Sequence, residues 1–121
     1  MTSADSDLAR RRFLATLRVV RRQGDHLAYS RDRLFSVPVD ADWVRGLETA
    51  PELAERLEAF VSRFGRLQDT VGEKLIPRWL TALAETPGSH IENLNRAERL
   101  GVLSGADRWL ELRKLRNRLI H

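Results

Sequence analysis

Apolar residues recur at intervals of three and four along almost the whole chain, and this spacing is the feature that most limits the fold. It places one apolar stripe on each helix, whereas a half-buried strand requires alternation at every second position. The sequence contains no stretch of strand-like alternation and no internal repeat. Its 121 residues suffice for one domain with its own core. The pattern therefore predicts a single all-α domain over residues 1–121.

Two long helices are predicted, over residues 5–34 and 51–83. Asp5 or Ser6 is expected to cap the first helix, and Pro77 is expected to kink the second. Gly24 lies on the apolar stripe of the first helix, which indicates either a close neighbouring helix or a bend. A short helical turn over residues 42–47 lies between the two long helices.

Two shorter helices follow the loop at residues 86–89. Ser89 and Glu92 have the spacing of a capping box, and Gly101 occupies the position that glycine prefers after a helix. The last helix is expected to turn four apolar side chains inward. These are Trp109, Leu112, Leu115 and Leu119. The complete pattern predicts a four- to five-helix bundle with two long and two shorter helices.

Composition excludes several classes of function. The absence of cysteine rules out disulfides, thiol catalysis and cysteine-ligated metal centres. The three histidines have no recognisable metal-ligand spacing, so we predict no metal and no cofactor. No apolar run approaches the roughly 20 residues of a membrane-spanning helix. The N-terminus also lacks the apolar segment of a secretory signal, and a cytoplasmic protein is expected.

The charge balance permits an anionic partner without selecting one. The chain has 21 basic and 17 acidic residues, for a formal net charge of +4. Lys74 and Lys114 are its only lysines, and the other basic residues are arginines. Arginine suits planar, bidentate recognition of phosphate. The run at residues 10–12 is read first as a solvated face, with RNA contact as the alternative.

The last six residues carry the strongest chemical signal. Arg116 and His121 combine a side chain that binds phosphate with one that titrates near neutral pH. Cleavage of RNA by its own 2′-hydroxyl requires a base, an acid and positive charge at the phosphate. Histidine serves as base or acid, and arginine stabilises the developing charge. Asn117 lies four positions before His121 and is placed to orient its imidazole.

Helical geometry separates the two members of this pair. Arg116 and His121 lie about 140° apart around an ideal helix, so they do not share a face. A twofold dimer solves this problem, because two copies of the helix end then face one cleft. One histidine would act as base and the other as acid. We therefore expect a homodimer.

The second half of the chain contains the segments RLQDTVGEKLIPRWLTAL, NLNRAERLGVL and WLELRKLRNRLIH, the last of which ends in an Arg-x4-His motif. Together these segments resemble the HepT-like toxins of the HEPN superfamily. The resemblance implies a dimeric helical bundle with metal-independent endoribonuclease activity on RNA. It also implies Arg116 and His121 as the catalytic pair, with Asn117 as the polar neighbour. The implied partner is a minimal nucleotidyltransferase that acts as the antitoxin.

The chain departs from the family pattern at its end. The pattern continues to a tyrosine two residues after the histidine, which the antitoxin modifies with AMP, but no residue follows His121 here. The helical pattern also runs to the last residue without a stop signal. We therefore expect the native protein to continue beyond His121.

Arg66 and Asp69 are supporting candidates, and other functions remain open. Asp69 is placed to pair with a motif arginine or to orient a histidine, although an ordinary Arg66–Asp69 surface pair explains the same spacing. The first alternative function is a non-catalytic helical module that docks a nucleotidyltransferase. The second is a general basic RNA-binding bundle, for which steep salt dependence is expected.

Overall fold

All regular secondary structure in the computed structural model, which describes residues 2–120, is helical. The predicted all-α class is therefore correct. The helices are α1 (Ser3–Leu34), α2 (Ala41–Arg45), α3 (Pro51–Thr70), α4 (Ile76–Ala82), α5 (His90–Arg99) and α6 (Ala106–Ile120). A 3₁₀ turn at Gly46–Thr49 follows α2, and a π-helical turn at Val71–Leu75 joins α3 to α4.

Helix α1 begins earlier than predicted. Its N-cap is Thr2, whose hydroxyl accepts from the Asp5 backbone N–H at 3.1 Å. The Asp5 carboxylate in turn accepts from the Thr2 backbone N–H, so the two residues form a capping box. The prediction of Asp5 or Ser6 as the cap is wrong, because Asp5 occupies the N3 position of that box instead.

Pro77 does not interrupt the second long helical stretch. The chain stays helical from Pro51 to Ala82 through the π-helical turn, in which the Ile76 N–H donates to the Val71 carbonyl. Proline removes one helical N–H and crowds the carbonyl four residues earlier. The wider turn occupies the residues where that conflict falls, so the chain remains helical through Pro77 with a local change of helix type.

The fully buried core lies where α4, α5 and α6 meet. Its members are Ile76, Leu80, Leu94, Ala97 and Ala106. Both ends of α5 form as predicted. The Ser89 hydroxyl caps it by accepting from the Glu92 N–H, and Gly101 follows it with φ of +81°, a conformation that favours glycine.

Helix α1 packs along α3 and α4 on the other side of the bundle. Arg63 of α3 donates to the Ser30 hydroxyl at 2.6 Å, and Arg78 of α4 donates to the Thr16 hydroxyl at 2.7 Å. Gly24 does not mark a close helix contact, because a Cβ at that position meets no atom within 4 Å. That explanation of Gly24 is therefore wrong.

The end of α6 is more exposed than predicted. Trp109 and Leu112 are half-buried, but Leu115 and Leu119 are 44% and 64% exposed. The prediction that Leu115 and Leu119 face inward is wrong for the single chain, because the bundle covers only the first half of the apolar stripe of α6. An apolar surface is thereby left on the helix that carries Arg116.

Candidate functional site

Helices α3 and α6 form a groove of about 840 Å³, within the range of ligand-binding sites. Its floor is formed where Gly65 of α3 meets Arg116 of α6. Apolar walls and charged groups both contribute to the lining. The lining residues are Leu57, Glu58, Val61, Ser62, Gly65, Arg66, Asp69, Arg116, Asn117 and Leu119.

Arg116 is buried at this floor, with only 7% of its surface exposed. Its Nη1 donates to the Gly65 carbonyl at 2.7 Å and lies 3.0 Å from the Asp69 carboxylate. Its Nη2 donates to the Asn117 side-chain oxygen at 3.0 Å. A buried guanidinium requires such partners, because an unpaired charge inside a protein is costly. Arg116 is therefore both part of the groove and an anchor for α6.

Gly65 permits this arrangement by lacking a side chain. A Cβ at position 65 would lie 2.6 Å from the Arg116 Cδ and 2.8 Å from its Nη1. Neither separation is tolerable between non-bonded atoms. Sequence reasoning missed Gly65, although a glycine inside a helical pattern indicates a close approach. The same criterion indicated Gly24 instead, where a Cβ would meet no atom within 4 Å.

Gln68 adds a further link between α3 and α6. This buried residue donates from Nε2 to the Trp109 carbonyl at 3.0 Å. Positions 65, 68 and 69 have the i, i+3, i+4 spacing of one helix face, so a single face of α3 holds α6 in place. The sequence analysis did not single out Gln68. The only signal that could have indicated it is its position next to Asp69.

The structure brings together most of the residues predicted for the site. Arg116, Asn117, Asp69 and Arg66 all line the one groove. Asp69 pairs with Arg116, and the alternative Arg66–Asp69 surface pair is not among the ion pairs of residues 2–120. His121, predicted as the second catalytic residue, lies outside the described residues.

Other features of the described residues bear on partners. No group of three or more His, Cys, Asp or Glu side chains suited to a metal ion occurs within residues 2–120. None of the helices in this range combines the length and apolar character needed to cross a membrane.

Comparison with known proteins gives no relative. No protein-family model, curated protein or solved structure matches the chain. The functional conclusion therefore depends on the sequence motif and on the geometry of the groove.

Proposed function

We propose that this chain is a cytoplasmic, metal-independent endoribonuclease of the HEPN type, with Arg116 and His121 as its catalytic pair. The observation that carries the proposal is the placement of Arg116 at the floor of an open groove, beside Asp69 and Asn117. The motif arginine thus lies where a bound strand can reach it. The groove is also large enough for part of such a strand.

The proposed reaction transfers the phosphate within the RNA. The 2′-oxygen attacks phosphorus as one histidine removes its proton, and the bond from phosphorus to the 5′-oxygen breaks. A second histidine donates a proton to the departing 5′-oxygen, which leaves a 2′,3′-cyclic phosphate and a 5′-hydroxyl. Arg116 stabilises the negative charge on the phosphate in the transition state. In this proposal the second histidine is the partner subunit's His121.

A metal-free incubation with a defined RNA tests this function. In EDTA, we expect cleavage of the RNA, products with 2′,3′-cyclic phosphate ends, and no cleavage of DNA of the same sequence, which lacks the 2′-hydroxyl. Cleavage of DNA at a similar rate, or abolition by EDTA, would contradict the proposal.

The dimer is part of the proposal, and the exposed surface supports it. The chain exposes 8524 Å², whereas a compact monomer of 13.9 kDa exposes about 6,700 Å². A standard interface covers about 800 Å² of each partner. Apolar side chains contribute to the exposed surface at the end of α6, where Leu119 borders the groove. Two copies meeting there would cover Leu119 and complete one cleft.

Light scattering tests the dimer. We expect a mass twice that of the chain, and we expect Leu119→Glu to yield monomers because a charge is costly in a buried apolar contact. Ile91→Glu is the matched control, since Ile91 is also exposed but lies on α5. A monomeric unmodified chain, or dimer loss with Ile91→Glu alone, would contradict this interface.

The same exposed apolar surface also favours a second function. A non-catalytic module that docks a nucleotidyltransferase would present apolar side chains for its partner to cover. This alternative predicts a stable complex that His121→Ala leaves intact, and no RNA cleavage by the chain. In the endoribonuclease proposal, the nucleotidyltransferase is the antitoxin that neutralises the toxin.

A further inference from the structure

The hydrogen bonds of Arg116 limit what it can offer a substrate. Of the five N–H donors of a guanidinium, one on Nη1 donates to the Gly65 carbonyl and one on Nη2 donates to Asn117. Nη1 also lies 3.0 Å from the Asp69 carboxylate in an ion pair. The Nε donor is buried and has no hydrogen-bond partner within residues 2–120. Asp69 also compensates the charge. Both terminal nitrogens of Arg116 are therefore already engaged, and binding a phosphate with the two of them would require breaking contacts that anchor α6.

Arg66 lies next to the groove floor, and its side chain is not held by hydrogen bonds and ion pairs as that of Arg116 is. It follows Gly65 directly on α3, lines the same groove and is exposed. Its guanidinium makes no hydrogen bond or ion pair with another side chain in the described part of the chain, because Asp69 pairs with Arg116 instead. Arg66 therefore keeps its positive charge and its full set of donors for a ligand.

The charges along α3 indicate where an anion would bind in the groove. Glu58 lines the groove eight residues before Arg66, about 12 Å away along the helix axis. It repels a phosphate from that end, whereas Arg66 attracts one toward the Arg116 end. The groove therefore has a preferred position for an anionic group beside Arg66.

We propose that Arg66 binds a backbone phosphate of the RNA in this groove, while Arg116 holds the groove floor and stabilises the reacting phosphate. This inference rests on the proposed function for its ligand. It divides two tasks between neighbouring arginines, since Arg66 supplies binding charge and a forked donor set. Arg66 is thus assigned as a substrate-binding residue.

Binding to a short single-stranded RNA made resistant to cleavage by 2′-O-methyl groups tests the assignment. We expect Arg66→Ala to weaken binding about tenfold, as loss of a charge-assisted phosphate contact does. The slope of log affinity against log salt should fall by about 0.7, the value for one phosphate contact on a single strand. Arg66→Lys should recover part of the affinity, because it restores the charge without the fork.

Arg22→Ala is the matched control, because Arg22 is exposed on α1, does not line the groove and carries the same charge. We expect it to change binding less than twofold, as a surface charge outside the contact should. Glu58→Gln should strengthen binding. In cleavage assays Arg66→Ala should raise KM more than it lowers kcat, since it removes a contact present before and during the reaction.

The outcomes separate this inference from the proposed function. If the chain cleaves RNA but Arg66→Ala and Arg22→Ala behave alike, Arg66 is not the binding residue and the ribonuclease stands. If binding depends on Arg66 but no cleavage occurs, the assignment holds and the ribonuclease fails. If the unmodified chain does not bind the RNA, both are wrong. Thermal unfolding of each variant verifies that the exposed substitutions leave the fold intact.

Discussion

His121→Ala is expected to reduce metal-free RNA cleavage by a factor of about 10² to 10⁴, the usual contribution of a general acid or base. If two copies of His121 serve one cleft as base and acid, the substitution removes both, and the loss should lie at the upper end. Initial rates on a defined RNA in EDTA measure the effect. RNA binding should change far less, because Arg66 and the groove remain.

His26→Ala is the matched control for this substitution. His26 is exposed on α1, and its backbone carbonyl, which the substitution leaves in place, accepts from Arg63. We expect it to retain full cleavage. Equal rates for His121→Ala and the unmodified chain would exclude the proposed chemistry, whereas equal losses in both histidine variants would indicate a general effect of the substitution.

The structure explains why Arg116→Ala is a less informative test. Arg116 contacts Gly65 and Asp69, so its removal takes away an anchor of α6 as well as a charge in the groove. Loss of activity in that variant has two explanations. Arg116→Lys is the better choice, because lysine retains the positive charge beside Asp69 but lacks the planar fork.

The sequence predicted the helix starts and ends that depend on neighbouring residues alone. Pro51 starts a helix, the Ser89 hydroxyl caps the next one, and Gly101 follows it with positive φ. Each of these depends on a few neighbouring residues, so spacing suffices to find it. The error at the start of α1 arose where local signals compete, because Thr2 and Asp5 both have cap-forming side chains.

The groove depends on contacts that spacing cannot specify. Arg116 meets the Gly65 carbonyl across 51 positions of sequence, and nothing local to either residue selects the other. The motif indicated Arg116, and helical spacing made Asp69 a candidate. That Asp69 faces Arg116 rather than Arg66 follows only from how α6 crosses α3. The exposure of Leu115 and Leu119 has the same origin, since it depends on which neighbours cover α6.

Two glycine substitutions are expected to change stability in opposite directions. Gly24→Ala should raise the free energy of unfolding by about 0.5–1 kcal/mol, because alanine favours the helix and the added Cβ meets nothing. Gly65→Ala gains the same helix preference but forces a Cβ against Arg116, and we expect a net loss of about 1–3 kcal/mol from overpacking. Urea unfolding of both variants measures the difference.

A double substitution identifies the cause of the loss at Gly65. If the clash with Arg116 is responsible, Arg116→Ala should relieve it, because that change removes the atoms that a Cβ at position 65 would meet. Gly65→Ala combined with Arg116→Ala should then be less destabilising than the sum of the two single changes. Stabilisation by Gly65→Ala alone, similar to that at Gly24, would contradict the close contact. The groove floor would then require a different arrangement of α3 and α6.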